Sequence, residues 1–215
     1  MQSTQTTDNY ALVCAQWQER FLSLDLQKLL QKLPGLQDQG EMLTIDLFHR
    51  TYGIRKATGE ILSLDSQTPI SLFTKLNIYT LIWYCREQPS FADDWVPFRD
   101  LKNASPYGPA YQRTVINTFT RTFSGHTEAL IFACEKLGGQ RLDHGDVGYQ
   151  LPTFLCIPMR IFFWDGDEEF PAQANFLFDR NCVDYIHVES IVTIASECVT
   201  RLAEEAGLKC SCAVT

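Results

Sequence analysis

The 215-residue chain has no C-x-x-C pair, no basic run longer than two residues and no low-complexity linker. It also lacks an apolar run of the roughly 18 residues that a membrane-spanning helix needs. Its first twenty residues, MQSTQTTDNYALVCAQWQER, do not form a basic start followed by an apolar core, so no secretory leader is read there. The expected setting is therefore cytoplasmic, with no membrane as partner. Eighteen Lys and Arg against 26 Asp and Glu give a net charge of −8. That balance argues against nucleic acid, whose phosphates demand a basic face. Eight cysteines stand at 14, 85, 134, 156, 182, 198, 210 and 212 without metal-site spacing. Scattered in apolar segments of a chain able to build its own core, they read as free thiols rather than as a disulfide framework.

What is present is a globular composition, 45% hydrophobic and 12% aromatic. From Asn9, Tyr10, Val13, Trp17, Phe21 and Leu24 recur at helical steps, and a second helical run from Leu26 to Leu33 stops at Pro34-Gly35. Met42 to Phe48 alternates with Leu43, Ile45 and Leu47 on one side. Together with Tyr52 to Arg55 and Ile61 to Leu64 it predicts a small antiparallel meander. Thr68-Pro69 reads as a capped start for a helix running to about Glu87, with Leu72, Leu76, Tyr79 and Trp83 on one face. A loop-like stretch follows, then two helices marked by Tyr111, Val115, Phe119 and Phe123 and by Leu130, Ile131, Cys134 and Leu137. Strand formers dominate Val147 to Leu151, Leu155 to Trp164 and Ala174 to Phe178. The last two are expected as an antiparallel hairpin with a long tip, before a final helix through Ile191, Ile194, Cys198 and Leu202. The order predicts an α+β fold in a single domain, mainly antiparallel sheet with amphipathic helices on it. A folded unit over 9–207 is expected between flexible ends, 1–8 and 208–215.

The acidic excess is concentrated. Between Asp165 and Glu189 stand seven acids (Asp165, Asp167, Glu168, Glu169, Asp179, Asp184, Glu189) and one arginine, Arg180. That is a net −6 of the chain's −8. Carboxylates gathered where strands meet solvent can bind a hard cation, raise one another's pKa for acid–base work, or simply hold backbone amides. Glu168, Asp179, His187 and Glu189 are the alternative metal ligands, although the D-x-D-x-D-G spacing of a calcium loop is missing. A second candidate is Trp95-Val-Pro-Phe-Arg99 with Pro106-Tyr107-Gly108, where arginine beside aromatics can form a pocket for an anion or a planar ligand. No G-x-S-x-G, H-E-x-x-H, phosphate-loop or dinucleotide signature is present, so no reaction and no cofactor is specified. At the end of the chain, Cys212-Ala213-Val214-Thr215 has the outline of a prenylation box, but its last residue and the acidic Glu204-Glu205 upstream are wrong for one. Cys210-x-Cys212 is half of a tetrahedral site.

Trp95-Val-Pro-Phe-Arg-Asp-Leu, Gly145-Asp146, Trp164-Asp-Gly-Asp-Glu-Glu-Phe-Pro171, Phe176-Leu-Phe-Asp179 and the stretch Tyr185 to Glu189 resemble the domain-of-unknown-function family 3786 of anaerobic bacteria and archaea. The resemblance runs from Asn9-Tyr10 to the last helix. It implies an accessory role in anaerobic one-carbon metabolism, because similar proteins carry an added iron–sulfur segment that also occurs beside corrinoid proteins. The cysteine spacing that would hold such a cluster is missing here. The ligand-binding candidates are thus Trp95, Arg99, Tyr107, Asp146, Trp164, Asp167, Glu168, Glu169 and Asp179. A small molecule or a partner protein is the expected occupant, and a metal-dependent enzyme using the acidic cluster is the alternative.

Overall fold

The computed structural model describes residues 2–67 and 69–210, the side chains of residues 2–9 and of Ala11 excepted. Helix α1 (Gln2–Leu22) buries Phe21 and lays Trp17 parallel to Tyr79, ring centres 6.2 Å apart. Arg20 covers the outer face of Trp17 at 4.5 Å. Asp25 then caps α2 (Leu26–Lys32), its carboxylate accepting from the amides of Gln27 and Lys28.

Strands β1 (Gln37–Gln39), β2 (Met42–Leu47), β3 (Arg50–Arg55) and β4 (Ile61–Ser63) form the expected antiparallel meander, in chain order. Leu43, Ile45 and Leu47 face inward, as the alternation predicts. Phe48 and His49 make the β2–β3 turn with φ of 51° and 60°, a left-handed conformation that L-residues seldom adopt. Tertiary contacts hold it there. Phe48 is fully buried, and its N–H donates to Thr153 O, tying the meander to the second sheet.

Helix α3 (Leu72–Tyr84) begins at a different cap from the expected one: Ser71 accepts from the Thr74 amide, and Thr68 lies outside the described residues. Of the expected face Tyr79 is buried, but the buried stripe is broader and shifted, with Thr74, Asn77, Ile78, Leu81 and Ile82, and Trp83 is exposed. The reason is polar. Thr74 and Asn77 face a buried carboxylate on the last helix, Glu197, and are drawn inward with it.

The stretch read as a loop contains β5 (Trp95–Pro97), followed by a turn of 3-10 helix over Phe98–Asp100. Next come α4 (Gly108–Tyr111), one π-helical turn (Gln112–Ile116), α5 (Asn117–Phe123) and α6 (Thr127–Lys136). The second sheet adds β6 (Gln140–Arg141), β7 (Val147–Phe154), β8 (Ile157–Trp164) and β9 (Gln173–Asp179), in the order β5-β9-β8-β7-β6, all antiparallel. Leu155, expected in a strand, is instead the exposed tip of the β7–β8 turn. Phe119 of α5 stands edge-on to Phe163 and Phe176 at 5.7 and 5.0 Å, which fixes the helices on this sheet. Helix α7 (Val188–Glu205) buries Ile191, Ile194, Cys198 and Leu202. One hydrophobic core runs from Phe21 to Ala203 and joins both sheets, so the fold is α+β. No helix among the described residues is long and apolar enough to cross a membrane.

Candidate functional site

The acidic string occupies the β8–β9 connection, and two of its four carboxylates, those of Asp165 and Asp167, are committed to main-chain donors. Gly145 has φ +72° and lies so close to Phe163 O that a Cβ would fall 2.8 Å from it. This approach lets Asp146 accept from the Asp165 amide at 2.7 Å. Asp165 in turn accepts from the amides of Gly125 and Gly166 at 2.9 and 2.8 Å and from the Thr127 hydroxyl at 3.0 Å, pinning the start of α6. Burial pushes its pKa up, but the amides of Gly125 and Gly166 and the hydroxyls of Thr127 and Ser124 outweigh that and hold it below 3.8. Asp167 accepts from the Phe170 and Glu169 amides at 2.7 and 2.8 Å, which lower its pKa too. Glu168 and Glu169 are exposed at the tip. Trp164 packs edge-on to His144.

Asp179 is the most deeply buried of these acids, at 1% exposure. Its two oxygens accept from the amides of Ala92 (3.0 and 3.1 Å), Asp94 (3.3 Å) and Asn181 (2.9 Å). A carboxylate at the end of β9 therefore anchors the segment that leads into β5. His187 caps α7, its Nδ1 accepting from the Glu189 amide at 3.3 Å, with its ring against Tyr84 and Tyr107. Glu168, Asp179, His187 and Glu189 are thus placed for different local tasks. Among the described residues, no group of three His, Cys, Asp or Glu side chains is arranged to hold a metal ion.

The tryptophan–arginine stretch also divides. The guanidinium that stacks on Trp95, at 3.7 Å, belongs to Arg160 of β8, while Trp95 Nε1 donates to Asp93. Arg99 is largely solvent-exposed, 3.8 Å from the neighbouring Asp100. It lines a groove of about 370 Å³ together with Gln112, Asn117 and Thr120 on the helical side and Gln173 to Phe176 of β9 on the other. Arg99 therefore lines the groove together with the strand that leaves the acidic loop, while none of the loop's carboxylates is among the groove's lining residues. The π-helical turn supplies Gln112 and Ile116 to the wall, and such turns are often found at functional sites.

A second polar assembly escaped the sequence reading. Glu197 and Arg201, one turn apart on α7, pair through Arg201 Nη2 at 2.7 Å and are both more than nine-tenths buried. Glu197 also accepts from Thr74 and, at 2.7 Å, from Asn77; Arg201 donates to Tyr52 Oη at 2.7 Å and lies over the Phe48 ring. The network ties α3, β3 and the Phe48 turn to α7. Its signal was present in the sequence: Glu197 and Arg201 fall on the apolar stripe of Ile194, Cys198 and Leu202, where unpaired charge is not tolerated. Cys210 packs against the core, and Cys212 lies outside the described residues.

Fold and site together define an α+β domain whose acids brace loops, with a separate groove lined by Arg99 and β9. The chain belongs to the family described as Domain of unknown function (DUF3786), which it matches over residues 25–201, from the cap of α2 to Arg201. Helix α1, and with it Asn9-Tyr10, precedes the matched segment. No curated protein and no solved structure matches the chain.

Proposed function

We propose that this protein is a ligand- or partner-binding accessory domain acting in the cytoplasm. On the resemblance described above, it serves anaerobic one-carbon metabolism alongside corrinoid and iron–sulfur proteins. The observation that carries the reading is the use of the carboxylates. Asp146, Asp165, Asp167 and Asp179 spend oxygen lone pairs on main-chain N–H groups, bonds that a metal ion would have to displace. Of the candidate residues, Asp146, Asp167 and Asp179 are braces, as is the neighbouring Asp165, and Trp95, Tyr107 and Trp164 are packed aromatics. Arg99 presents its charge in the groove, and Glu168 and Glu169 present theirs at the exposed tip of the β8–β9 loop. Five buried free thiols fit a reducing compartment.

The test is an anaerobic purification without chelator, followed by metal analysis and a visible spectrum. Metal well below one ion per chain and no visible band are the expected results. Near-stoichiometric metal that disappears in Glu168→Ala without unfolding would establish the metal-dependent enzyme instead.

A further inference from the structure

Arg201 of α7 has one nitrogen left over. Its Nε and Nη2 donate to Glu197 Oε1 at 3.1 and 2.7 Å, and Nη2 also donates to Tyr52 Oη at 2.7 Å. Nη1 carries two further protons, is buried, and has no acceptor among the described residues. Glu197 has little to offer it, since Oε1 also accepts from the Thr74 hydroxyl and Oε2 from Asn77 Nδ2 at 2.7 Å. Tyr52 Oη, which accepts from Arg201, keeps its own proton and donates it to no described residue. Buried donors without acceptors are rare in folded proteins, and a guanidinium is among the costliest groups to leave so.

Arg201 and Tyr52 are both more than nine-tenths buried, and both line a cleft of about 170 Å³ between β3, the segment that leads into α3 and the last turns of α7. By liquid volume that is room for about six waters, or for one short-chain acid. Ser63, the register partner of Tyr52 across β3 and β4, and Thr200 bring hydroxyls to the same lining. Arg50 adds a second guanidinium, 3.0 Å from Glu205 and more exposed than that of Arg201. Charge chooses among the acceptors that could enter. The lining sets two cations, Arg50 and Arg201, against two acids, Glu197 and Glu204, so a phosphate dianion would be repelled. A single carboxylate has an oxygen for each of the two donors, and its bonds to them are charge-assisted, as those of a neutral carbonyl are not.

We propose that this cleft binds the carboxylate of a small monocarboxylic acid, with one oxygen on Arg201 Nη1, the other on Tyr52 Oη, and the Arg50 charge on the more exposed side. The site shares no lining residue with the Arg99 groove and uses none of the β8–β9 carboxylates. It therefore goes beyond the function proposed above and is decided by a separate measurement.

The probes are acetate and lactate, added to the full chain at an ionic strength held constant with chloride, and acetamide and lactamide as their uncharged counterparts. The readouts are Tm and the amide shifts of Tyr52, Ser63, Thr200 and Arg201 in NMR titrations. At least one of the two acids should move these amides saturably and raise Tm, and its amide should bind at least about tenfold more weakly. Tyr52→Phe keeps the ring and removes one donor, and should weaken binding at least about tenfold. Arg50→Gln, at a partly exposed ion pair, should weaken it about threefold. No saturable shift at hundred-millimolar acid would overturn the proposal and leave water as the acceptor of Nη1. An equal response to chloride, equal binding of the uncharged amides, or binding unchanged by Tyr52→Phe would overturn it too. Should Tyr52→Phe fail to fold, binding unchanged by Arg50→Gln decides against it. Metal analysis of the unmodified protein bears on the function proposed above and leaves this site undisturbed.

Discussion

Replacing Asp179 with asparagine isolates the bracing role, because the change preserves size and removes only charge and one acceptor. The carboxylate holds three amides, with Oδ2 accepting from Ala92 and Asp94 and Oδ1 from Ala92 and Asn181. In Asp179→Asn one oxygen becomes an NH₂ group that faces N–H donors at 1% solvent exposure. At least one charge-assisted bond is lost, and such bonds contribute about 1.5–3 kcal/mol each. With the donor–donor conflict added, a cost of about 3 kcal/mol follows. For a chain of this size that is a fall in Tm of roughly 6–12 °C. Thermal and urea unfolding followed by circular dichroism measure it. Faster amide exchange over residues 92–97 would show β5 loosening with the anchor. A Tm within about 2 °C of the unmodified protein would refute the reasoning, since a buried brace cannot be removed at so little cost.

The buried pair on α7 makes a stronger prediction: Glu197→Ala strands the Arg201 charge and should cost about 3–5 kcal/mol, whereas Glu197→Leu combined with Arg201→Met should recover much of it, by urea unfolding. The lowered pKa of Asp165 adds stability that is fully present above the unfolded value of 3.8 and is lost as pH falls through the folded one. Asp165→Asn should therefore be less stable than the unmodified chain at pH 7, and the gap should narrow on acidification below 3.8 in parallel unfolding titrations. Burial raises the Cys85 thiol to about 11 and Cys156 to about 12, and raises Cys134, Cys182 and Cys198 well above the ordinary thiol value too. These five should stay silent to a thiol reagent at pH 8 until denaturant is added. Glu168→Gln and Glu169→Gln, at the exposed loop tip, should each change stability by less than about 0.5 kcal/mol.

Hydrophobic period gave the meander and the β8–β9 hairpin, whose buried faces are nearly pure apolar, and α7, whose apolar positions outnumber the buried Ser190, Glu197 and Arg201. It misplaced the face of α3, where Thr74 and Asn77 are buried to serve Glu197 and carry no apolar signal. It passed over β5, since three residues ending in proline are too short to show alternation and are held by Asp179 from 85 residues away in sequence. The acidic string was legible as a concentration of charge. Its purpose was not, because a carboxylate that binds a metal and one that holds an amide look alike in sequence, and only the positions of Gly125, Ala92 and Asn181 distinguish them. Arg99 and Arg160 differ for the same reason: strand register, invisible in the sequence, puts Arg160 over Trp95 and leaves Arg99 facing the groove.

On the function proposed above, the carboxylates brace loops and do not bind a metal. This is tested most directly by comparing Tm in chelator with Tm in 1 mM Mg²⁺, Mn²⁺ or Zn²⁺. A site with a dissociation constant one hundredfold below the metal concentration would add about 2.7 kcal/mol, roughly 5–11 °C here. The account predicts no shift with any of the three ions. A shift of that size in the unmodified protein that vanishes in Glu168→Gln would contradict it.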